Sequence, residues 1–458
     1  MKKAKLTLLL LSPVLVVPFL TQCGAQKDPD TISIAVVADT AEYKTMMNFV
    51  NKYKAIPGNE NKKFKVVKMT NYNDYINNAF LYDELDDIVQ VYDFSCEYYT
   101  NADLDGAGKS LLIPLSSYMS RDHINESDFY ESIVEMTKCK TGSNEMYWVP
   151  RDYNKVVCGY NKKIFDIAGI DYPTDNWTWS QFVSVCEALN TKTVKDKIKT
   201  QYSGSATFFP VDMNLDFPAV YYPILKSYGG DLIDKVTRTC FGDTEEKVTI
   251  AKNAWGKLLD LADNYLSAPP GGSQIPFTNK QAAMMFMVRP NLPTYVSSLG
   301  TDTLDFVSLP TYDDLSEGQT SYIGMGCSGY GITTACANSK KEAAWDFLKY
   351  IISEQGQNDF SEAGSGIPAL KKLATDPNAL FKQYLVTENY HPNHEAFIAH
   401  EERDIPMNFM KGFEVEKQLM IDKYIKDRTL KNFYDFKGAA RANYFSDYKK
   451  DMEKLWNK

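Results

Sequence analysis

Residues 145–165, EMYWVPRDYNKVVCGYNKKIF, decide how this chain is read. Two extended segments, 146–149 and 155–160, meet at a Pro-Arg-Asp-Tyr-Asn corner. Pro150 supplies no N–H, so ladder pairing is interrupted there. The second segment runs into 161–170, NKKIFDIAGI, a short helix with a glycine stop. A charged, aromatic corner set between two apolar strands suits a hinge beside a ligand site.

Upstream of this corner the chain alternates strand and helix. Residues 31–38 (TISIAVVA) are β-rich, and Asp39 with Glu42 three positions on reads as a capping box. The helix it opens carries Tyr43, Met46, Met47, Val50 and Tyr53 as one apolar stripe. A strand over 64–69, a short helix over 75–81 and a strand over 87–92 (DIVQVY) follow. That alternation predicts a parallel sheet with crossover helices. Ligands of such sheets sit beyond the carboxyl ends of the strands, here Asp39-Thr40 and Asp93-Phe94-Ser95.

Downstream, Thr178 and Gln181 form a second capping box, with Trp177 stapled onto Phe182 and therefore structural. Residues 204–230 read as an irregular loop presenting aromatic residues. Residues 255–266 read as an amphipathic helix, 279–287 and 304–309 as strands, and 321–335 as a glycine-rich loop running into a strand. This loop has neither a phosphate-cradling nor a dinucleotide fingerprint. Ser339 with Glu342 reads as a third capping box, opening a helix over 340–353. From Tyr390 on, the sequence reads as helical and mixed.

Lys2, Lys3 and Lys5 followed by an apolar run from Leu6 to Leu20, broken by Ser12, Pro13 and Pro18, read as a secretory signal. The run is too short for a membrane span of roughly 20 residues. The formal net charge is −9 with both signs well mixed, which argues against a nucleic-acid partner. The length predicts two domains. Of eight cysteines, Cys139 and Cys158 flank the opening hairpin and form a candidate pair. Buried free cysteine is the expected state for most.

The stretch 147–182, YWVPRDYNKVVCGYNKKIFDIAGIDYPTDNWTWSQF, resembles the segment where the chain first crosses between lobes in the sugar-type extracellular solute-binding lipoproteins of ABC importers. Other stretches resemble that family in the same order. Asp93 and Tyr98 lead to LLIPL at 111–115. Tyr221-Tyr222-Pro223 precedes Gly229-Gly230, and 279–287 resembles the strand that carries the chain back across the hinge. The blocks 340–353 and 364–368 resemble a crossing helix and its following turn. Where relatives commonly have Gly and Trp after the returning strand, this chain has Val288-Arg289-Pro290-Asn291. Leu20-Thr21-Gln22-Cys23-Gly24 resembles a lipobox, although Gln22 departs from its usual small residue. Ordinary cleavage nearby is the alternative.

The resemblance implies an α/β, periplasmic-binding-protein-like fold, two lobes joined by a multi-crossing hinge with a ligand cleft between them. It implies a signal peptide over 1–22 and a tether over 23–30 carrying lipid (palmitate) on Cys23. The first lobe is expected over 31–152 plus 290–338 and the second over 153–289 plus 339–458. The implied function is that of a monomeric receptor on the extracellular face of the cell membrane. It captures a carbohydrate, an oligosaccharide by expectation, and hands it to ABC permease subunits without a cofactor.

Sugar binding needs flat apolar faces for the C–H side of each ring and polar groups for its hydroxyls. The candidates are Asp39, Glu42 and Asp93 from the first lobe; Arg151, Asp152 and Tyr153 from the hinge; Arg289 and Asn291 from the second crossing; and Tyr221 and Tyr222 as the aromatic platform. Each has a plainer reading. Asp39 and Glu42 are read equally well as a helix cap, and Arg151 and Asp152 as partners of each other or of a neighbouring strand. His391, His394 and His400 read as a surface loop rather than a metal site, since the chain lacks H-E-x-x-H. Two alternatives stay open: a secreted carbohydrate-active enzyme, which needs two carboxyl groups some 5–10 Å apart, and the same receptor fold binding another solute, such as a polyamine, peptide or phosphorylated compound.

Overall fold

The structure, a computed structural model, describes residues 28–457 except 83, 93–95, 102–109, 141, 203–206, 216, 235–238, 270–274, 363–365, 407–422, 426 and 428–438. Cys23 and Asp93 thus lie outside the described residues. The chain opens with strand β1 (Thr31–Val37), helix α1 (Thr40–Lys54), β2 (Lys63–Met69), helix α2 (Tyr72–Leu81) and β3 (Ile88–Tyr92). These three strands run parallel, as the alternation predicts. Beyond Tyr92 comes the short helix α3 (Cys96–Asn101). β1 buries both faces along its middle, whereas β2 alternates and exposes Lys63, Lys65 and Lys68. A lysine-studded edge strand resists pairing with another chain.

The stretch that decides the fold contributes a strand to each of three sheets. It contains β4 (Val149–Pro150), β5 (Asp152–Lys155) and β6 (Val157–Asn161), separated by the single residues Arg151 and Val156. β7 (Phe209–Asp212), a ribbon of β8 (Ile233–Asp234) with β9 (Thr239–Cys240), β10 (Ala282–Met287), β11 (Leu304–Val307), β12 (Ile323–Gly326), β13 (Ser328–Ile332), β14 (Ile367–Pro368) and β15 (Asp404–Pro406) complete the described strands. The first sheet has the order β2-β1-β3-β13-β4, the second β11-β6-β10-β7, and a third, between them, β14-β5-β12-β15. The chain steps from first to third to second sheet at 149–161 and returns from third to first at 323–332.

Several expectations change here. β10 pairs with β6 on one side and β7 on the other, and all six of its residues are buried. It is an internal strand of the second sheet and does not recross the hinge. The chain then turns through Arg289–Asn291 and helix Leu292–Leu299 into β11, which also pairs with β6. The recrossing therefore falls at Cys327, not at 288–291, and residues 290–307 belong with the second sheet. Helix Asn338–Ile351, expected in the second lobe, packs on the first: its buried Lys340 Nζ reaches the Thr31 carbonyl at 2.8 Å and Asp87 at 3.1 Å. Ser339 does not cap that helix, which starts at Asn338 after Ala337. Glu342 pairs instead with Arg121 at 2.9 Å.

Part of 204–230, expected as loop, is the helix Pro218–Ser227, fully buried from Ala219 to Leu225. Pro218 occupies the first turn, where no intrahelical N–H is needed. Pro223 leaves the Ala219 carbonyl without its helical donor. That carbonyl lies against Gly324 of β12, where an added Cβ would sit 2.0 Å away. Gly329 has the same role on β13: a Cβ there would sit 1.9 Å from the Val149 carbonyl of β4. The glycines of 321–335 thus permit strands and helix to approach one another. The Thr178–Gln181 capping box forms as expected, and Trp177 packs edge-on against Phe182 while its Nε1 donates to the Ser308 carbonyl at 2.8 Å.

Two buried cores result. One lies on the first sheet and continues across the hinge to Met285 and Met287 on one face of β10. The other takes Met284 and Phe286 on the opposite face and is closed by helices Glu245–Asp263 and Ala439–Trp456. The period of two along β10 divides its side chains between them. Cys139 lies in the first core and Cys158 in the second, so the pair suggested by the sequence does not form. Both are buried, and no disulfide joins them.

Candidate functional site

The carboxyl ends of β1 and β3 meet the crossing residue Arg151, and a dense polar network forms there. Asp39 is the N-cap of α1: extended at φ −70° and ψ 135°, it accepts from the N–H groups of Ala41 and Glu42 at 2.5 and 3.4 Å. The capping box is only half made, because Glu42 turns its carboxylate elsewhere. It accepts from Gln90 Nε2 at 2.8 Å and from both terminal nitrogens of Arg151.

Arg151 occupies the centre of the joint. Its Nε and Nη2 donate to Asp152 Oδ2 at 3.0 and 2.6 Å, and Nη2 also reaches Ser328 Oγ at 2.6 Å. Nη1 lies 3.5 Å from the Tyr330 hydroxyl, and the guanidinium sits 5.3 Å from the Phe360 ring centre. Asp152 in turn accepts from the Ser328 N–H at 2.8 Å and from its Oγ at 3.2 Å. The main chain repeats the link, since Arg151 N–H donates to the Ser328 carbonyl at 2.7 Å and Gln357 Nε2 donates to the Arg151 carbonyl at 2.9 Å. Both crossing strands are therefore bolted together at one arginine.

Burial divides this cluster into wall and support. Arg151, Asp152, Gln90, Ser328 and Tyr330 are buried; Glu42 keeps 21% of its side chain exposed, Tyr92 is half-buried and Asp39 exposed. Burial alone would lower the pKa of Arg151, but Asp152 and Glu42 hold its guanidinium well above the usual range. Burial, then the Glu42 charge, pushes the Tyr92 phenol up, so it stays protonated and able to donate. The wall thus offers carboxylate acceptors and a phenol donor held by a charge-balanced support.

The other sequence candidates lie elsewhere. Tyr153 is fully buried in the third sheet, stacked on Tyr130 with centroids 4.2 Å apart, and its hydroxyl donates to Asp404. Beside it Lys155 Nζ pairs with Asp404 at 2.6 Å, and burial pushes the Asp404 carboxyl up to about 6 despite that partner. Arg289 is fully buried: Nη1 meets His394 Nδ1 at 2.9 Å, Nη2 donates to the Phe381 carbonyl, and the rings of Phe381 and Phe397 lie 5.0 and 5.3 Å away. Burial brings its guanidinium down to about 9. Asn291 is half-buried at the start of helix Leu292–Leu299.

Tyr221 and Tyr222 are buried in the second core. The Tyr222 hydroxyl donates to Asp231 at 2.9 Å, and Tyr221 lies 6.2 Å from the Trp255 ring. Neither presents an open ring face here. His394, expected on a surface loop, is also buried. Its Nε2 lies 2.6 Å from the Tyr384 carbonyl, which can only accept, so Nε2 carries the proton and Nδ1 accepts from Arg289. Burial, then Arg289, keeps the ring neutral by lowering its pKa to about 3. Among the described residues no group of three His, Cys, Asp or Glu is placed to hold a metal ion, and no helix is long and apolar enough to cross a membrane.

The structure therefore gathers Asp39, Glu42, Arg151 and Asp152 and adds Gln90, Tyr92, Ser328 and Tyr330, which the sequence reading missed. One signal was present: Gln90 interrupts the apolar run of DIVQVY, and a buried amide in a central strand must find partners. The register Ser328↔Tyr92 and Tyr330↔Gln90 that brings the others in arises only on pairing.

A search of curated protein sequences gives no match. Among solved structures, the fold is similar to an ABC substrate-binding protein of Listeria monocytogenes in complex with cycloalternan, at 16% identity and a TM-score of 0.67, covering 93% of this chain and 99% of that one. It is similar to the sugar-binding protein MalE of Xanthomonas citri, at 14% identity and a TM-score of 0.68, covering 93% and 97%. It also resembles UgpB of Mycobacterium tuberculosis in complex with glycerophosphocholine, at 15% identity and a TM-score of 0.68, covering 93% and 98%. The sequence model of the bacterial extracellular solute-binding protein family matches residues 38–358, which takes in the second sheet, every strand of the first except β1, the paired crossings and the Arg151 joint. The chain belongs to the bacterial extracellular solute-binding protein family.

Proposed function

We propose that this chain is the receptor of an ABC importer, capturing a carbohydrate between its lobes outside the membrane and releasing it, unaltered, to permease subunits. The observation that carries this reading is the Arg151 joint. A polar wall of Asp39, Glu42 and Tyr92 stands beside the strands that join the lobes, within a chain of the extracellular solute-binding family. Acceptors and a donor fixed at that place suit hydroxyl-rich solutes, and closure around the solute strengthens each bond by excluding water. Similar folds that hold cycloalternan or bear the name sugar-binding protein support a sugar as the solute.

Binding without turnover is supported by how the carboxylates are used. Glu42 and Asp152 both face one guanidinium, and a glycosidase needs one of its two carboxyl groups held as a proton donor. In this proposal Asp39, Glu42 and Asp93 contact the solute, and Arg151 and Asp152 position the wall. Tyr153, Tyr221, Tyr222 and Arg289 serve packing. Cys23 carries the lipid, so that a monomer works tethered at the cell surface.

Incubation with a panel of labelled malto- and alternan-type oligosaccharides tests this. Intact sugars with a raised melting temperature are expected, and Glu42→Ala abolishes the shift for the sugar that binds. Fragmented sugars refute the receptor reading. A shift with polyamines alone refutes the carbohydrate.

A further inference from the structure

A side cleft of about 370 Å³ opens on the first lobe between α1 and helix Glu354–Ser361. Thr45 and Asn48 line it from α1, Asp359 and Phe360 from the other helix. Its volume falls within the roughly 300–1,000 Å³ of small-molecule sites. The cleft begins where the polar wall ends. Glu42, Thr45 and Phe49 stand at i, i+3 and i+7 on one face of α1. Arg151, bonded to Glu42, places its guanidinium 5.3 Å from the Phe360 ring centre. From Glu42 to Asn48 the helix rises about 9 Å, more than the width of one pyranose ring.

The packing beneath holds Phe360 in this position. Phe49, 1% exposed, lies nearly parallel to it, with ring centroids 6.1 Å apart and planes 19° apart. Gly366 clears the edge of the ring, since a Cβ there would sit 2.1 Å from Phe360 Cε1. Phe360 itself is only half-buried and reaches the cleft. Asp359 is fixed as well: its Oδ2 accepts from the Tyr350 hydroxyl at 2.7 Å, and its Oδ1 lies 3.5 Å from Lys52 Nζ. Among the described residues the Thr45 hydroxyl and the Lys44 ammonium, both at the cleft, have no partner. Lys44 and Lys52 balance Asp359 and Glu362, so the cleft carries no net formal charge.

We propose that this side cleft is a further subsite for the solute and takes one more ring of a neutral oligosaccharide. The apolar side of that ring lies against Phe360, and its hydroxyls meet Thr45, Asn48 and Asp359. The proposal rests on the receptor reading above and extends it to chain length: the polar wall holds the first rings, and the side cleft rewards a longer chain. Charge balance favours a neutral sugar here over a polyamine or a phosphorylated solute, each of which would leave like charges facing it.

The test is calorimetric titration of the full mature chain with malto- and alternan-type oligosaccharides, from disaccharide to hexasaccharide. Wild-type affinity should rise at least about tenfold along the series. The double variant Thr45→Val/Asn48→Ala removes the polar contacts from α1, and Phe360→Leu keeps apolar bulk beside Arg151 but removes the ring. Each should weaken the hexasaccharide roughly tenfold, with the loss confined to the longer sugars. Either variant suffices, so one that folds poorly leaves the test intact. Wild-type affinity that ignores chain length, a length preference kept in the variants, or an equal loss for short and long sugars in the double variant overturns the subsite alone. Wild-type protein that binds no sugar of any length overturns the receptor reading and the subsite with it.

Discussion

Replacing Arg151 with methionine tests the physics of the joint. Methionine roughly keeps the length and apolar stem of arginine but removes every donor. Asp152, with 3% of its side chain exposed, would keep its two bonds from Ser328 and lose both from the guanidinium; Glu42 would keep only Gln90. Breaking a buried ion pair from one side costs about 3–5 kcal/mol, because the abandoned charge stays desolvated. Glu42 is partly exposed and adds little beyond that range. Urea denaturation followed by tryptophan fluorescence, with Trp148 fully buried close by in sequence, reads the loss. Adding Asp152→Asn removes the stranded charge, so the double variant should recover about 1–3 kcal/mol relative to the sum of the single losses. Arg151→Lys should not rescue fully, since one ammonium cannot span Asp152, Glu42 and Ser328 at once. A loss below about 1 kcal/mol, or strict additivity in the double variant, would refute the reasoning.

Three further outcomes follow from the same geometry. Gly329→Ala puts a methyl group 1.9 Å from the Val149 carbonyl and should cost at least about 2 kcal/mol in urea denaturation; a neutral result means β4 and β13 are not this close. Tyr222→Ala empties part of the second core and should cost roughly 3–5 kcal/mol, whereas Tyr222→Phe, which keeps the ring and loses the Asp231 bond, should cost about 1 kcal/mol. Lost binding without lost stability in Tyr222→Ala would instead place that ring in the cleft. Asp404, raised to about 6 from its ordinary value of 3.8, binds its proton more tightly folded than unfolded. Its contribution is present below the unfolded value and is lost as pH rises through about 6, by roughly 2–3 kcal/mol. The stability difference between wild type and Asp404→Asn should therefore shift against the wild type between pH 4 and 6.5, and a flat difference would remove Asp404 as the titrating group.

An arginine that touches two carboxylates, a serine and an aromatic ring belongs to the support of a site as much as to its surface. In the proposed function the solute meets Asp39, Glu42 and Tyr92, and the carboxylate of Glu42 is held in place by Arg151. Stiffness at this point leaves bending to the short third sheet, whose strands are two to four residues long. The Lys155–Asp404–Tyr153 cluster, buried within that sheet, gives it its own polar anchor. In the proposed function, closure around the solute and its release are motions about a hinge with charged pins at its core.

The sequence by itself determined whatever depends on near neighbours. Period and capping placed β1, α1, β3 and the Thr178–Gln181 cap, because those forces act within four residues along the chain. The corner at Pro150-Arg151-Asp152 was legible as a hinge for the same reason, and its resemblance to the family's crossing segment made it legible as a crossing. Only the tertiary structure decided which sheet each strand joins. An all-apolar strand such as β10 satisfies the centre of a sheet and a crossing equally well on paper, and its two-sided pairing with β6 and β7 chose the first. Likewise Arg289, His394 and Tyr222 look like surface chemistry in one dimension. They are core in three, because each finds its partners some 9 to 105 positions away, a distance no local pattern encodes.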